Sequence, residues 1–271
     1  MQIGNREFDT ENNCCIMGIL NVTPDSFSDG GKWNDIDRAR AHAEEMLRDG
    51  ADIIDVGGES TKPGYTKISV DEEIERVVPY IEMLKKEFDA PVSVDSYKPE
   101  VIEVAVKAGA DLVNDIWGLK YDARVAELIA KYDVPCCLMH NRDNTDYTSF
   151  LDDVYSDLQE TVDIAKKAGI RDDRIILDVG VGFAKNYEQN LAVINNHERF
   201  MKLGYPLLLG ASRKSVIGNT LDLPADDRLE GTLAITAVGV MKGAAFIRVH
   251  DVKENARVVR MTRAILNERK V

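Results

Sequence analysis

Eight times along this chain a short run of Val, Ile and Leu is followed by a longer stretch of helical period, and no other feature constrains the fold as much. The runs lie at 15–20, 53–56, 92–94, 112–113, 136–139, 175–177, 207–209 and 246–249. Helical segments follow at 37–48, 70–87, 99–108, 122–131, 150–168, 187–203, 226–241 and 252–267. Pro99 stands at a first helical position, and Gly50, Gly109, Gly169, Gly204 and Gly243 stand where helices close. Runs that are apolar throughout suit a parallel sheet buried on both faces. Eight such units in 271 residues predict an α/β chain forming a single (β/α)8 TIM-barrel domain over 1–271. The first dozen residues become a short N-terminal extension over the barrel bottom. A doubly wound sheet would need a glycine fingerprint after the first strand, and ILNVTPDSF at 19–27 is not one.

Composition narrows the function classes. No apolar run approaches the ~20 residues that span a bilayer. MQIGNREFDTENN at the start has neither the basic nor the apolar region of a signal peptide, so a cytoplasmic protein is expected. Lys and Arg total 34 against 47 Asp and Glu, a net charge of −13, which disfavours nucleic-acid partners, and the lack of a spanning run leaves no membrane partner expected. An anionic small molecule would need a local cluster of cations or a metal ion. The cysteines come as adjacent pairs, Cys14-Cys15 and Cys136-Cys137, without redox or zinc spacing. On a strand each pair puts one thiol on either face, so they read as small buried hydrophobes in a reducing compartment. His42, His140, His197 and His250 show no metal-ligand spacing, and the mid-helix positions of His42 and His197 predict solvated rings.

Chemistry gathers where the strands end. The residues leaving the runs are Asn21, Asp55 with Glu59, Asp95, Asn114 with Asp115, Met139 with His140, Asp178, Ser212 with Lys214, and Arg248 with His250. Loops reaching water explain one or two polar strand ends, but not Asp, Asn and Lys converging at most of them. In this fold those ends form the active-site mouth. Asp95, Asn114 and Asp178 offer two carboxylates and an amide, a set that fits the flat 2-amino-pyrimidinone edge of a pterin or guanine. Lys214 supplies a donor to a ring carbonyl or nitrogen. Arg248 and His250, two apart, make an anion site near the last strands. IMGILNVTPDSFSDGG at 16–31 begins as strand and breaks at Asn21 into polar residues, with Pro24 fixing the backbone beyond. It delivers a metal-capable amide into a loop suited to a lid. Two near-motifs carry nothing: GASRKS at 210–215 has Arg213 where a phosphate loop needs glycine, and GVGF at 180–183 follows the wrong strand for a dinucleotide.

These segments, with GADIIDVGGESTKPG at 50–64, SVDSYKP at 93–99, NDIWG at 114–118, DVGVGFAK at 178–185, GASRKS and RVHDV at 248–252, resemble dihydropteroate synthase nearly end to end, in order and spacing. The resemblance implies condensation of 6-hydroxymethyl-7,8-dihydropterin pyrophosphate with p-aminobenzoate, with Mg2+, in folate synthesis. It implies that Asp95, Asn114, Asp178, Lys214 and Met139 hold the pterin. Asn21, Thr61, Arg248 and His250 would hold the pyrophosphate, with Asn21 also on the metal. Phe27, Thr61, Lys62 and Pro63 would close with Phe183, Arg213 and Ser215 around p-aminobenzoate, the subsite that sulfonamides occupy in this family. Asn21, Asp95, Lys214, Arg248 and His250 would carry the catalysis. A homodimer through the seventh and eighth barrel helices is also implied.

An aryl amine is neutral at pH 7 and needs no strong base, so the expected reaction is a dissociative displacement helped by charge stabilisation on the leaving group. In this picture Asn21 belongs to the fixed site and residues 25–31 seal it against water. Two positions depart from the family pattern: Lys62 replaces an arginine and loses its planar fork, and Val179 replaces a proline. The competing readings are a pterin-binding methyltransferase, which would lack the SRKS and R-x-H groups, and a non-catalytic pterin-binding protein.

Overall fold

The computed structural model describes residues 1–23, 31–59 and 67–268, with 31–34 described in backbone only. Eight parallel strands close a barrel: β3 (Cys15–Asn21), β4 (Ile53–Gly57), β5 (Val92–Asp95), β6 (Leu112–Asp115), β7 (Cys136–Met139), β8 (Ile175–Asp178), β9 (Leu207–Leu209) and β10 (Ala244–Val249), which returns to β3. The helices are α1 (Gly31–Asp49), α2 (Val70–Glu87), α3 (Pro99–Lys107), α4 (Ala123–Tyr132), α5 (Phe150–Lys167), α6 (Tyr187–Asn195), α7 (Ser215–Leu221), α8 (Leu229–Met241) and α9 (Val252–Leu266). None of those described is long and apolar enough to cross a membrane.

The strands divide their side chains by the period of two. One set, including Ile54, Val94, Val113, Leu138, Leu177 and Leu209, packs outward against the helices. The other, including Met17, Ile53, Leu112, Cys137, Ile176, Leu208 and Phe246, fills the barrel interior. The cysteines follow this rule. Cys136 packs outward and Cys137 inward, while Cys14 and Cys15 split the same way, and all four are free thiols.

The N-terminal extension plugs the bottom. β1 (Gln2–Ile3) and β2 (Arg6–Glu7) form an antiparallel hairpin that seats Ile3 and Phe8 in the interior cluster. The Phe8 ring lies 6.1 Å from that of Phe246, and its backbone N–H donates to the Met1 carbonyl at 2.8 Å. Burying a side chain of this size contributes roughly 2–3 kcal/mol.

Three details differ from the expectations. The segment 187–203 is not one helix: α6 stops at Asn195 and a 3-10 turn runs His197–Leu203, because Asn196 leaves helical geometry at φ −115°, ψ 26°. His197 is consequently not solvated but fully buried. The ring lies near the backbone of Leu208 and Lys242, and burial pushes its pKa down to about 4. Residues 215–221 form an additional helix, α7, and the helix expected at 226–241 starts only at Leu229, after turn residues. Ser215 through Leu221 spans two turns only, too short for a distinct periodic signal.

Candidate active site

The strand register sets the mouth. Asn21 pairs with Gly57, Gly57 with Asp95, and Asp95 with Asn114, so four consecutive strands end at one level. Gly57 is the gap in that row. A Cβ there would sit 3.6 Å from both Asn21 Oδ1 and Asp95 Oδ2, so the two side chains face each other across it. Asp178 ends β8 on the opposite side, in register with Met139.

Burial makes this row chemically unusual. Asp95, Asn114 and Asp178 are each less than a tenth exposed, and Asp55, one inward position deeper on β4, is fully buried. Arg248 joins the carboxylates: Nε donates to Asp55 Oδ2 and Nη2 to Asp95 Oδ2, both at 2.6 Å. Asn114 Nδ2 donates to the same Asp55 oxygen at 3.1 Å, which turns the amide oxygen the other way. Two oxygens, Asp55 Oδ1 and Asp95 Oδ1, are buried with no hydrogen-bond partner among the described residues. An acceptor left unmade in this way costs about 1–3 kcal/mol, and a ligand N–H would recover it.

The electrostatics follow from those contacts. Burial pushes Asp95 up to about 7, with Arg248 opposing the rise. Asp178 is also raised by burial, against the pull of Lys214 and of the Gly180 N–H that reaches its Oδ1 at 2.8 Å. Lys214 is pushed down to about 8 by burial while Asp178 pulls it back. Its ammonium donates to the Val181 carbonyl and lies 4.7 Å from the centre of the Phe183 ring. Met139 and Phe183 share a small apolar cluster with Tyr97, Ile116 and Trp117, forming a wall beside the carboxylates.

The remaining expected residues are placed unevenly. Asn21 is exposed at the end of β3. The His250 ring is fixed through Nδ1, 3.0 Å from Ser212 Oγ. Arg213 is turned to Asp251, with Nε 3.0 Å from Oδ2, and Ser215 is exposed at the start of α7. Phe27, Thr61, Lys62 and Pro63 lie outside the described residues, as does most of the 25–31 stretch. Two of the Arg248 nitrogens already serve carboxylates, so only Nη1 remains without a described partner.

Sequence reasoning named Asp55, Glu59 and Asp115 as strand ends without assigning them roles. Asp55 orients both Arg248 and Asn114, and its signal was an acidic residue at an inward position of an apolar run. Asp115 holds the following turn by accepting from Trp117 N at 2.8 Å and Leu119 N at 2.7 Å. Glu59 accepts from Tyr97 Oη at 2.7 Å, and from Lys98 Nζ and Ile68 N at 2.8 Å each, tying down both flanks of residues 60–66.

Residues 17–250 match the family model of pterin-binding enzymes. The dihydropteroate synthase of Clostridium beijerinckii is 59% identical over 267 residues, covering 98% of this chain and 99% of that protein. Among solved structures, dihydropteroate synthase from Clostridium difficile in the presence of pteroic acid superposes with a TM-score of 0.94 at 48% identity, covering 97% of this chain and 100% of that one. The Yersinia pestis enzyme in a sulfonamide drug complex gives 0.93 at 39% identity, covering 99% of each. With a closed parallel barrel, a buried carboxylate–amide row at its mouth and these likenesses along nearly its whole length, the chain belongs to the dihydropteroate synthase family of pterin-binding enzymes.

Proposed function

We propose that this enzyme joins 6-hydroxymethyl-7,8-dihydropterin pyrophosphate to p-aminobenzoate, releasing 7,8-dihydropteroate and pyrophosphate, and so acts as a transferase in folate synthesis. The observation that carries the reading is the dry row of Asp95, Asn114 and Asp178 facing Lys214, with Asp95 Oδ1 lacking a described partner. A pterin edge presents N–H groups to carboxylates and a carbonyl or ring nitrogen to the lysine, which matches this inventory group for group. Phe183 and Met139 supply an apolar wall for the flat ring.

The chain's residues then divide the work. Asp95, Asn114 and Asp178 hold the ring so that its exocyclic methylene faces the mouth, and the ring's own electron release carries charge as the C–O bond to pyrophosphate breaks. Arg248 and His250, joined by Thr61, hold the departing anion; donors placed on a developing charge are typically worth about 3–4 kcal/mol. p-Aminobenzoate enters beside Phe183, Arg213 and Ser215, with Phe27, Lys62 and Pro63 contributed from the two loops. Its neutral amine attacks the methylene without a strong base and gives its proton to solvent. Loop closure keeps water from capturing the cation first.

The donor chemistry also fits magnesium. Among the described residues no three His, Cys, Asp or Glu side chains group to cage a metal. A single hard oxygen on Asn21 suits an ion that keeps waters and takes most ligands from a diphosphate. When bound, Mg2+ would neutralise charge on the leaving group. We further propose a homodimer through α8 and α9, supported by exposed Val238, Met241, Met261 and Ile265. Cytoplasmic residence agrees with the four free thiols. Incubating the protein with both substrates, with and without Mg2+, tests the reading: stoichiometric pyrophosphate and dihydropteroate are expected, and no pyrophosphate release overturns it.

A further inference from the structure

The loop that follows β8 folds in a way its backbone would not choose alone. Gly180 and Gly182 have φ of +68° and +85°, and Ala184 has +46°. A Cβ on Gly180 would meet the His140 carbonyl oxygen at 2.1 Å. This loop is held from within by Lys185, whose side chain is buried. Its Nζ lies 3.0 Å from the Gly180 carbonyl, 3.0 Å from the Phe183 carbonyl and 2.8 Å from His140 Nδ1. Tyr147 Oη adds a bond to the Ala184 carbonyl at 2.8 Å.

The polarity of this chain of contacts is set at its far end. Asp157 Oδ2 lies 2.9 Å from His140 Nε2 and 2.6 Å from Arg142 Nε. Burial raises the Asp157 pKa, but bonds from His140 and Arg142 win and hold it well below the usual carboxylate range. An ionised carboxylate only accepts, so His140 carries its hydrogen on Nε2. Nδ1 then accepts from the Lys185 ammonium. All three ammonium hydrogens have acceptors, and none of those acceptors is a carboxylate.

The loop so fixed touches the site at three points. The Gly180 N–H bonds Asp178, the Val181 carbonyl accepts from Lys214, and the Phe183 ring lies against the Lys214 ammonium. We infer that Lys185, locked by the His140–Asp157 pair, is a positioning residue for Asp178 and Lys214, holding the loop that sets where both groups stand toward the pterin. This rests on the reading of the mouth as the dihydropterin site. Burial drives Lys185 down to about 7, with the Asp178 carboxylate pulling it back toward the charged form.

Lys185→Met and Asp157→Asn test it by three measurements. These are calorimetric affinity for the dihydropterin ester, KM for p-aminobenzoate at saturating ester, and 15N shifts of the His140 ring. Lys185→Met is expected to weaken ester binding about tenfold, as loss of an outer supporting contact commonly does, with the p-aminobenzoate KM rising by clearly less because Phe183 alone of that subsite lies on the loop. Asp157→Asn is expected to act in the same direction by less. The wild-type ring is expected as the Nε2–H tautomer. Unchanged ester affinity in folded Lys185→Met, or an Nδ1–H tautomer in the wild type, overturns the inference, as does equal loss of both substrates. Should Lys185→Met not fold, unchanged affinity in Asp157→Asn overturns it. Wild-type protein that binds no ester at all instead overturns the reading of the site.

Discussion

The two ends of the barrel are built from the same eight strands and obey opposite rules. At the bottom, Ile3, Phe8, Ile53, Leu112, Ile176 and Phe246 meet with scarcely a polar atom among their side chains, and the hairpin pairs its own backbone. One or two inward positions further along, the interior holds Ser93, Asp55, Asp95, Asn114 and Asp178 instead. Ser93 Oγ, Asp55 Oδ1 and Asp95 Oδ1 are buried there without a described partner. Apolar transfer stabilises the first end, whereas buried charge and unmade hydrogen bonds weigh against the second. The lesson is a division of labour: the plugged end supplies stability, and the mouth keeps unsatisfied acceptors in place until a ligand arrives.

That contrast can be broken by experiment. Phe8→Ala should cost about 3–5 kcal/mol in chemical denaturation while leaving kcat/KM per folded molecule unchanged. A fall in kcat/KM would mean the two ends are coupled. Asp178→Ala should do the reverse, lowering kcat/KM for the pterin ester by about a hundredfold or more without lowering Tm, because a carboxylate disfavoured by burial is removed. A lower Tm would show the mouth to be stabilising after all.

The helix layer outside both ends gives a third comparison. His197 binds its proton near pH 4 when folded and near the ordinary histidine value of 6.5 when unfolded, so the unfolded chain takes up more protons between those values. Its contribution is therefore complete above pH 6.5 and is lost as pH falls toward 4. His197→Gln should gain on the wild type by up to about 3 kcal/mol across that window, as read from denaturation at several pH values. Asp95 and Asp115, raised to about 7 and about 6, act with the opposite sign and are common to both proteins, so the difference isolates the histidine. At the mouth itself, kcat/KM for the ester should rise toward pH 7 as Asp95 ionises and decline above pH 8 as Lys214 loses its proton. Each limb should approach about tenfold per pH unit, and a flat profile would remove these two groups from the free-enzyme ionisations.

Much of this is legible in the amino-acid sequence. The strand runs needed only hydropathy, since a strand buried on both faces must be apolar throughout, and five of the eight helix closures were marked by glycine. Asp95, Asn114, Asp178 and Lys214 stood out as polar groups at the ends of those runs. His197 was misread because local period places it on a helix, and only the break at Asn196 turns it inward. α7 was hidden by its length. The inward position of Asp55 in an apolar run is legible, but its partner is not: Arg248 is 193 residues away, and nothing local to either announces the contact.

The sequence by itself determined the eightfold alternation, the end of the barrel that carries chemistry and the residue types gathered there, because each depends on spacing within a few residues. Tertiary structure alone decided how those groups are charged and aimed. Barrel closure brings Arg248 against Asp55 and Asp95, and the β8 loop sets Asp178 and Lys214 through Gly180 and Val181. Desolvation and hydrogen bonding act through space, so their balance exists only once distant strands share one interior.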